Sequence, residues 1–357
     1  MKKILITTGG SGGHVIPALN LFEHLKNEFD VTLYTDVRGA KFIPKETKKT
    51  IFEVKQIAEK KYLLPFKLTI LFFAFVKSLI RLSGRKFDII ISTGGYMSLP
   101  IVLAAKVFNI KIFLFEPNSI IGRSNKFLLK FCDKIFCYDK NLQGFNKKFN
   151  NKVVNIPPIL NKCFYQNSDK EKEFDNRVFK ILIIGGSQAS LFFSKNLQSE
   201  MIKIGKKYKI TIVQQLSINF NINDYKRSYD ENNIENELFY FKEKFLCDDN
   251  NFDIAISRSG ASSLTELAHL NIPFIAIPFP YATDNHQYFN AKRYYEQNCC
   301  WLLEEKKINS GDIFKIINEI MENKKDYFEK KKNLKKVNAN LTWESINKMI
   351  TENFNEY

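Results

Sequence analysis

Short apolar runs alternate with amphipathic stretches along the whole chain. Ile4 to Thr7, Val31 to Thr35, Ile89 to Ser92, Lys111 to Phe115, Lys134 to Cys137 and Lys152 to Ile156 have the length and continuous hydrophobicity of buried strands. Helical patterns separate them, among them Pro17 to Asn27 and Pro100 to Phe108. Strand and helix in regular alternation predict a parallel, doubly wound sheet with helices on both faces. The pattern stops at Pro157-Pro158, and Asn161 to Arg177 is charged and Asn-rich, as a linker would be. It resumes with Lys180 to Ile184, Ile210 to Gln214, Leu238 to Phe241, Ile254 to Ser257 and Phe274 to Ile277, a second sheet of the same kind. Ser310 to Asn323 and Trp343 to Phe354 carry apolar residues at helical spacing and read as core-covering helices. The expected division is a first domain over 1–160 and a second over 177–341, with a last helix over 342–357 packing back on the first.

A chain of 357 residues that is 45% apolar can supply two hydrophobic cores, which agrees with two domains. The net charge of +16 suits an anionic partner. Lys, Asn, Ile and Phe are abundant everywhere, however, so the excess is discounted as a pointer to nucleic acid, and none is expected as a partner. The six cysteines form no CxxC pair and do not cluster with the four histidines, so zinc is not expected and the thiols read as reduced, buried or idle; the chain also lacks a DxD pair that would hold a divalent metal on a diphosphate, and no metal or cofactor is expected. Met1-Lys2-Lys3 runs directly into a strand pattern, and the expectation is a cytoplasmic protein.

The candidate chemistry gathers where strands hand over to helices. Thr8-Gly9-Gly10-Ser11-Gly12-Gly13-His14 follows the first strand, and Ile184-Gly185-Gly186-Ser187-Gln188 follows the first strand of the second half. Bare backbone N–H groups and a helix N-terminus at such loops suit an anion or a sugar hydroxyl. The first loop breaks the GxGxxG spacing of dinucleotide folds at Val15, although Asp36 ends the second strand where a ribose-binding acid would stand. Ser92-Thr93-Gly94-Gly95-Tyr96-Met97-Ser98 and Glu116-Pro117-Asn118-Ser119 should lie at the same sheet edge, which makes Asn118 a candidate polar contact. In the second half, Ser257-Arg258-Ser259-Gly260-Ala261-Ser262-Ser263-Leu264-Thr265-Glu266 again reads strand, glycine turn, helix. Glu266 either compensates the helix dipole or accepts ribose hydroxyls. Thr283-Asp284-Asn285-His286-Gln287 adds amides and an acid suited to sugar hydroxyls.

These motifs, GGSGGH, STGGY, GGSQ, SRSGASSLTE and DNHQ, stand in the order and spacing of the MurG-type glycosyltransferases, which the chain resembles over nearly its full length. The resemblance implies an α/β GT-B fold of two Rossmann-like, doubly wound parallel-sheet domains facing a central cleft, with the acceptor on the N-terminal domain and the donor mainly on the C-terminal one. It implies transfer of N-acetylglucosamine from UDP-N-acetylglucosamine to the lipid-linked muramyl-pentapeptide of cell-wall synthesis. Carried over by position, Ser11, Gly12, Gly13 and Asn118 match sugar-nucleotide contacts, and Ser187 and Gln188 match the diphosphate loop. Ala261, Ser262, Ser263, Leu264, Thr265 and Glu266 match the helix start whose acid meets the ribose. His286 and Gln287 match the donor-sugar contact, Phe241 and Lys242 the nucleobase pocket, and Gly94, Gly95 and Tyr96 the acceptor side. The chain departs from the pattern at Ile159, where the family has an arginine, at Phe115 and Pro117, and at Ala189, which replaces a glycine.

The reaction needs a base for the acceptor hydroxyl and a sink for the charge on departing UDP. His14 is the expected general base, with an acid or a positioned water as alternatives, and the Ser187 loop the expected sink. Attack opposite UDP predicts inversion at the anomeric carbon. A lipid acceptor implies a peripheral protein on the cytoplasmic face of the inner membrane. Tyr62 to Lys86 is the candidate contact with anionic lipid, because Leu68 to Val76 is almost wholly apolar, ringed by Lys60, Lys61, Lys67, Lys77, Arg81, Arg85 and Lys86, and too short to span a bilayer; a core helix is the other reading. The rivals are another sugar-nucleotide transferase of the same fold, a nicotinamide-dependent oxidoreductase and a membrane-peripheral scaffold.

Overall fold

The computed structural model describes residues 1–54, 64–84, 86–166, 178–186, 189–242, 245–249, 251–308, 311–338 and 341–355. The chain forms two compact units, Met1–Asn161 with Thr342–Tyr357, and Lys162–Leu341.

In the first unit, β1 (Lys3–Thr7), β2 (Asp30–Thr35), β3 (Lys49–Ile51), β4 (Ile89–Ser92), β5 (Lys111–Glu116), β6 (Lys134–Cys137) and β7 (Val153–Asn155) form one parallel sheet in the order β3-β2-β1-β4-β5-β6-β7. The connecting helices are α1 (Gly12–Leu25), α2 (Val37–Ala40), α3 (Leu64–Ser83), α4 (Ser98–Val107) and α5 (Arg123–Leu128). Ile4, Leu5, Ile6, Ile90 and Ile91 have no exposed surface, because helices cover the sheet on both faces. The order reverses between β1 and β4, which opens a crevice at the strand C-termini.

The second unit opens with α6 (Lys162–Gln166) and repeats the scheme. Its strands β8 (Phe179–Ile184), β9 (Ile210–Gln215), β10 (Glu235–Phe239), β11 (Ile254–Ser257), β12 (Phe274–Ala276) and β13 (Cys300–Leu302) run parallel in the order β10-β9-β8-β11-β12-β13. Between and after them lie α7 (Leu191–Lys207), α8 (Ile222–Asp230), α9 (Phe245–Asp248), α10 (Ala261–His269), α11 (His286–Tyr295), α12 (Glu305–Ile308), α13 (Asp312–Glu322) and α14 (Lys325–Val337). The reversal falls between β8 and β11. The last helix, α15 (Trp343–Asn355), belongs to the first unit, where the Phe354 ring packs edge-on against Phe29, Phe113 and Phe136.

The structure differs from the sequence reading at several points. The segment expected as a linker holds α6, so the second unit begins at Lys162 and not at 177. The edge strands β3 and β13 are only three residues long and carry no alternation to announce them. β10 begins at Glu235, not Leu238, because an edge strand tolerates exposed polar positions in its first half. Two of the cysteines are not idle thiols, since Cys163 of α6 and Cys247 of α9 are joined as a disulfide with Cα atoms 5.7 Å apart. Packing of α6 on α9 brings together positions 84 residues apart, which no local spacing could announce. The other four remain buried thiols, and burial pushes Cys132 and Cys299 up to about 11 and Cys300 higher still.

Candidate active site

In the first unit, Thr7 stands in register with Tyr34 on one side and Ser92 on the other, so two glycine loops leave the sheet side by side. They touch backbone to backbone: a Cβ on Gly95 would lie 2.7 Å from the Gly9 carbonyl oxygen, and Gly95 itself has φ +89°. Only glycine fits there. α1 begins at Gly12, not near Pro17, because the glycine loop itself supplies the first helical turn, with the N–H groups of His14 and Val15 bonded to the Ser11 carbonyl. Ser11 and Gly13 are exposed, Gly12 is buried and His14 is half-buried.

The His14 ring is held in one orientation. Its Nδ1 lies 2.9 Å from the Thr93 carbonyl oxygen, and a carbonyl only accepts, so Nδ1 carries the proton and Nε2 keeps a free lone pair. The Thr93 hydroxyl donates back to the His14 carbonyl at 3.0 Å, and Gly94, at φ +95°, leaves room for the ring. Tyr96 presents a buried hydroxyl beside this loop, which burial keeps protonated by raising its pKa.

Asp36 is already engaged. Its Oδ1 accepts from Gly39 N at 2.7 Å, capping α2, and from Gly10 N at 3.0 Å. The acid that supported a dinucleotide reading is therefore spent on holding the glycine loop. Asn118 is likewise part of a built loop, donating from Nδ2 to the buried Glu116 at 2.8 Å. Glu116 also accepts from Gly122 N and Asn125 Nδ2, which makes it the organiser of residues 116–125, a role the sequence did not reveal. Ile159 is buried, its N–H and carbonyl bonded to Tyr138 and Asn20, and Phe115 packs edge-on against Tyr138. Where the resemblance implies a cationic contact, this chain has core.

In the second unit, Ser187 and Gln188 lie outside the described residues. Their flanks are tightly fixed: a Cβ on Gly185 would lie 2.1 Å from Ser190 N, Gly186 has φ +80°, and Ala189 has φ +53°. Ala189 thus adopts the left-handed conformation that glycine takes at least cost. The next residue, Ser190, caps α7 by accepting from Phe193 N.

Across the switch point, α10 starts at Ala261 behind an N-cap glycine with no capping side chain, so the N–H groups of Ala261, Ser262 and Ser263 have no partner within the helix. Leu264 and Thr265 face the core, and Glu266 is half-buried one turn along. No donor among the described residues reaches the Glu266 carboxylate, and desolvation pushes its pKa up to about 7. Gln287 Oε1 accepts from Ser259 N at 3.2 Å and Phe279 N at 2.9 Å, clasping the loops after β11 and β12 and leaving its amide as a donor. His286 Nδ1 bonds the Thr283 carbonyl, which leaves Nε2 as an acceptor. Lys242, exposed beyond β10, pairs with Glu237 and lies over the rings of Phe239 and Phe245.

Arg258 is the residue that the sequence reading passed over. Its buried guanidinium donates to Ser190 Oγ, Ile277 O and Pro278 O at 3.2 Å each and pairs with Glu305 at 3.3 Å. The Phe193 ring centroid is 4.6 Å away. One side chain thus ties the loops after β8, β11 and β12 to α12. An arginine directly after a strand that is apolar up to Ser257 was the available signal.

Two parallel sheets with glycine loops at their switch points, one flanked by an open helix start and an acid that no donor among the described residues reaches, have the architecture of the GT-B class of sugar-nucleotide transferases. Residues 4–137 match the glycosyltransferase family 28 N-terminal domain and residues 180–344 the family 28 C-terminal domain, so the chain belongs to glycosyltransferase family 28. A UDP-N-acetylglucosamine--N-acetylmuramyl-(pentapeptide) pyrophosphoryl-undecaprenol N-acetylglucosamine transferase from Pelagibacter ubique is 44% identical over 357 residues, 99% of each chain. One of the same description from Rickettsia bellii is 33% identical over 342 residues, 94% of this chain and 95% of its own. Among solved structures, Acinetobacter baumannii MurG shares the fold at TM-score 0.74 and 19% identity, covering 99% of this chain and 100% of that one.

Proposed function

We infer that this chain transfers N-acetylglucosamine from UDP-N-acetylglucosamine to undecaprenyl-diphospho-N-acetylmuramoyl-pentapeptide, giving the lipid-linked disaccharide of peptidoglycan synthesis. The observation that carries the inference is the 44% identity, over 99% of both chains, to a relative described as that transferase. Titration calorimetry tests the donor half. UDP-N-acetylglucosamine should bind and NAD should not; the reverse would return the chain to the oxidoreductases, whose ribose acid Asp36 is already engaged here.

In this reading the second unit binds the donor. Glu266 takes the ribose hydroxyls, the open start of α10 and the Ser187–Gln188 loop meet the diphosphate, and His286 and Gln287 meet the sugar. The acceptor side is Ser11 to His14 with Gly94, Gly95, Tyr96 and Asn118. His14 is the general base, supported by the tautomer that the Thr93 carbonyl selects. His14→Gln should lower kcat by roughly 10²–10⁴-fold while the donor KM stays within a few-fold. Steady-state kinetics check this, and an unchanged kcat would pass the role to another group.

We assign the membrane contact to α3. Phe66, Leu68, Phe72, Phe73 and Ile80 are exposed on this helix, Phe73 at 70%, and Lys77 and Lys86 are exposed nearby. Lys60, Lys61 and Arg85 of the expected basic ring lie outside the described residues, as does the Lys67 side chain. Among the described residues no helix is long and apolar enough to cross a membrane. An exposed aromatic face with basic neighbours suits a surface-lying helix on anionic lipid. Changing Phe72 and Phe73 to Ser should abolish sedimentation with phosphatidylglycerol vesicles while Tm is unchanged within about 2 °C, because exposed positions contribute little to folding.

A further inference from the structure

Gln215, the last residue of β9, is buried at 6% exposure and makes two polarity-matched bonds across the sheet edge. Its Oε1 accepts from Gly185 N at 3.0 Å, and its Nε2 donates to the Tyr240 carbonyl at 3.1 Å. β9 lies between β8 and β10, and the backbone ladder to β10 ends with Leu216 N bonded to Phe239 O. Beyond that rung both neighbours leave the sheet, one into the diphosphate glycine loop and the other into residues 240–242. The Gln215 amide spans the two gaps that open there.

We propose that Gln215 is a positioning residue that fixes the diphosphate loop relative to the nucleobase end of the donor site; the proposal rests on reading this unit as the UDP-sugar unit. The amide is the one neutral group of this length that offers an acceptor to Gly185 and a donor to Tyr240. Without it, the part-buried Gly185 N–H and the Tyr240 carbonyl lose their protein partners. Gly185 has no slack to absorb the loss, because its Cα packs against the Ser190 backbone, and Ser190 in turn caps α7 and accepts from Arg258. Tyr240 is held at its other end by its hydroxyl, which donates to Phe220 O at 2.8 Å. A shift at position 215 therefore reaches the ligand loops and not the body of the sheet.

Two substitutions separate the two bonds. Gln215→Met makes neither; Gln215→Glu keeps an acceptor for Gly185 but sets a carboxylate against the Tyr240 carbonyl. Both should raise the KM for UDP-N-acetylglucosamine and the Kd for UDP by roughly ten-fold or more, with kcat within about three-fold. The preference for UDP over UMP, which reports the β-phosphate, should collapse in Gln215→Met and persist in Gln215→Glu. Calorimetry well below each variant's Tm, with UDP and UMP as probes, reads all of this. Variants that melt earlier yet bind UDP within two-fold of the parent would reduce Gln215 to a structural filler and overturn the proposal. A parent chain that does not bind UDP would instead overturn the donor-site reading beneath it.

Discussion

Glu266→Gln should make the protein more stable and nearly inactive. The two effects have one cause, a carboxylate desolvated in the free protein without a partner among the described residues, with its pKa raised to about 7 from the ordinary carboxylate value of 4.5. A raised acid binds its proton more tightly folded than unfolded, so its contribution to stability is greatest below pH 4.5 and is lost as pH rises to 7. Above that point the ionised carboxylate costs on the order of 1–2 kcal/mol, discounted for partial exposure. The neutral amide avoids this cost. Glu266→Gln should therefore raise Tm by a few degrees at pH 8, and most of that gain should be gone at pH 5. The same change removes a charged acceptor from the ribose hydroxyls, and kcat/KM for the donor should fall by roughly 10²-fold. In the parent, donor affinity should weaken as pH drops below 7, because binding needs the ionised form. Calorimetric melting at the two pH values, with initial rates, checks both effects; a variant that is less stable at pH 8 would show that the carboxylate has an unseen partner.

Arg258→Met should be the most destabilising single change in the second unit. It leaves Glu305 as an uncompensated, largely buried carboxylate and removes the donors to Ile277 O, Pro278 O and Ser190 Oγ. Breaking a buried ion pair costs about 3–5 kcal/mol. Adding Glu305→Gln should recover much of the Tm, because the orphaned charge is gone. It should not recover donor binding, because the loops after β8, β11 and β12 still lack their common anchor. Arg258→Lys should fail as well, since an ammonium cannot reproduce the planar fork of donors. Chemical denaturation with UDP titration of the single and double variants checks this. Recovery of affinity with stability would mean that Arg258 only compensates Glu305.

What the sequence disclosed depended on whether a constraint was local. Ile4, Leu5 and Ile6, like Ile181, Leu182 and Ile183, are wholly buried, so the parallel strands read as apolar runs. Gly94, Gly95 and Gly186 were legible as a group because positive φ and close backbone approach admit little else. Glu116, Gln215 and Arg258 were not. Each is an ordinary polar residue whose meaning lies in backbone groups brought to it by neighbouring loops, and no spacing encodes that. Asp36 misled for the same reason, its partners being Gly10 and Gly39 and not a ribose. The Cys163–Cys247 pairing also depends on two helices meeting across 84 residues.

The central claim is that a nucleotide-sugar donor and a lipid-linked acceptor react on this chain. Release of UDP from UDP-N-acetylglucosamine, followed with and without a lipid-linked muramyl-pentapeptide analogue, tests it most directly. UDP release that depends on the acceptor, with N-acetylglucosamine appearing in the lipid product in equal amount and inverted at its anomeric carbon, is the expected result. Donor binding without acceptor-dependent release, or release at the same rate whether or not the acceptor is present, would contradict it.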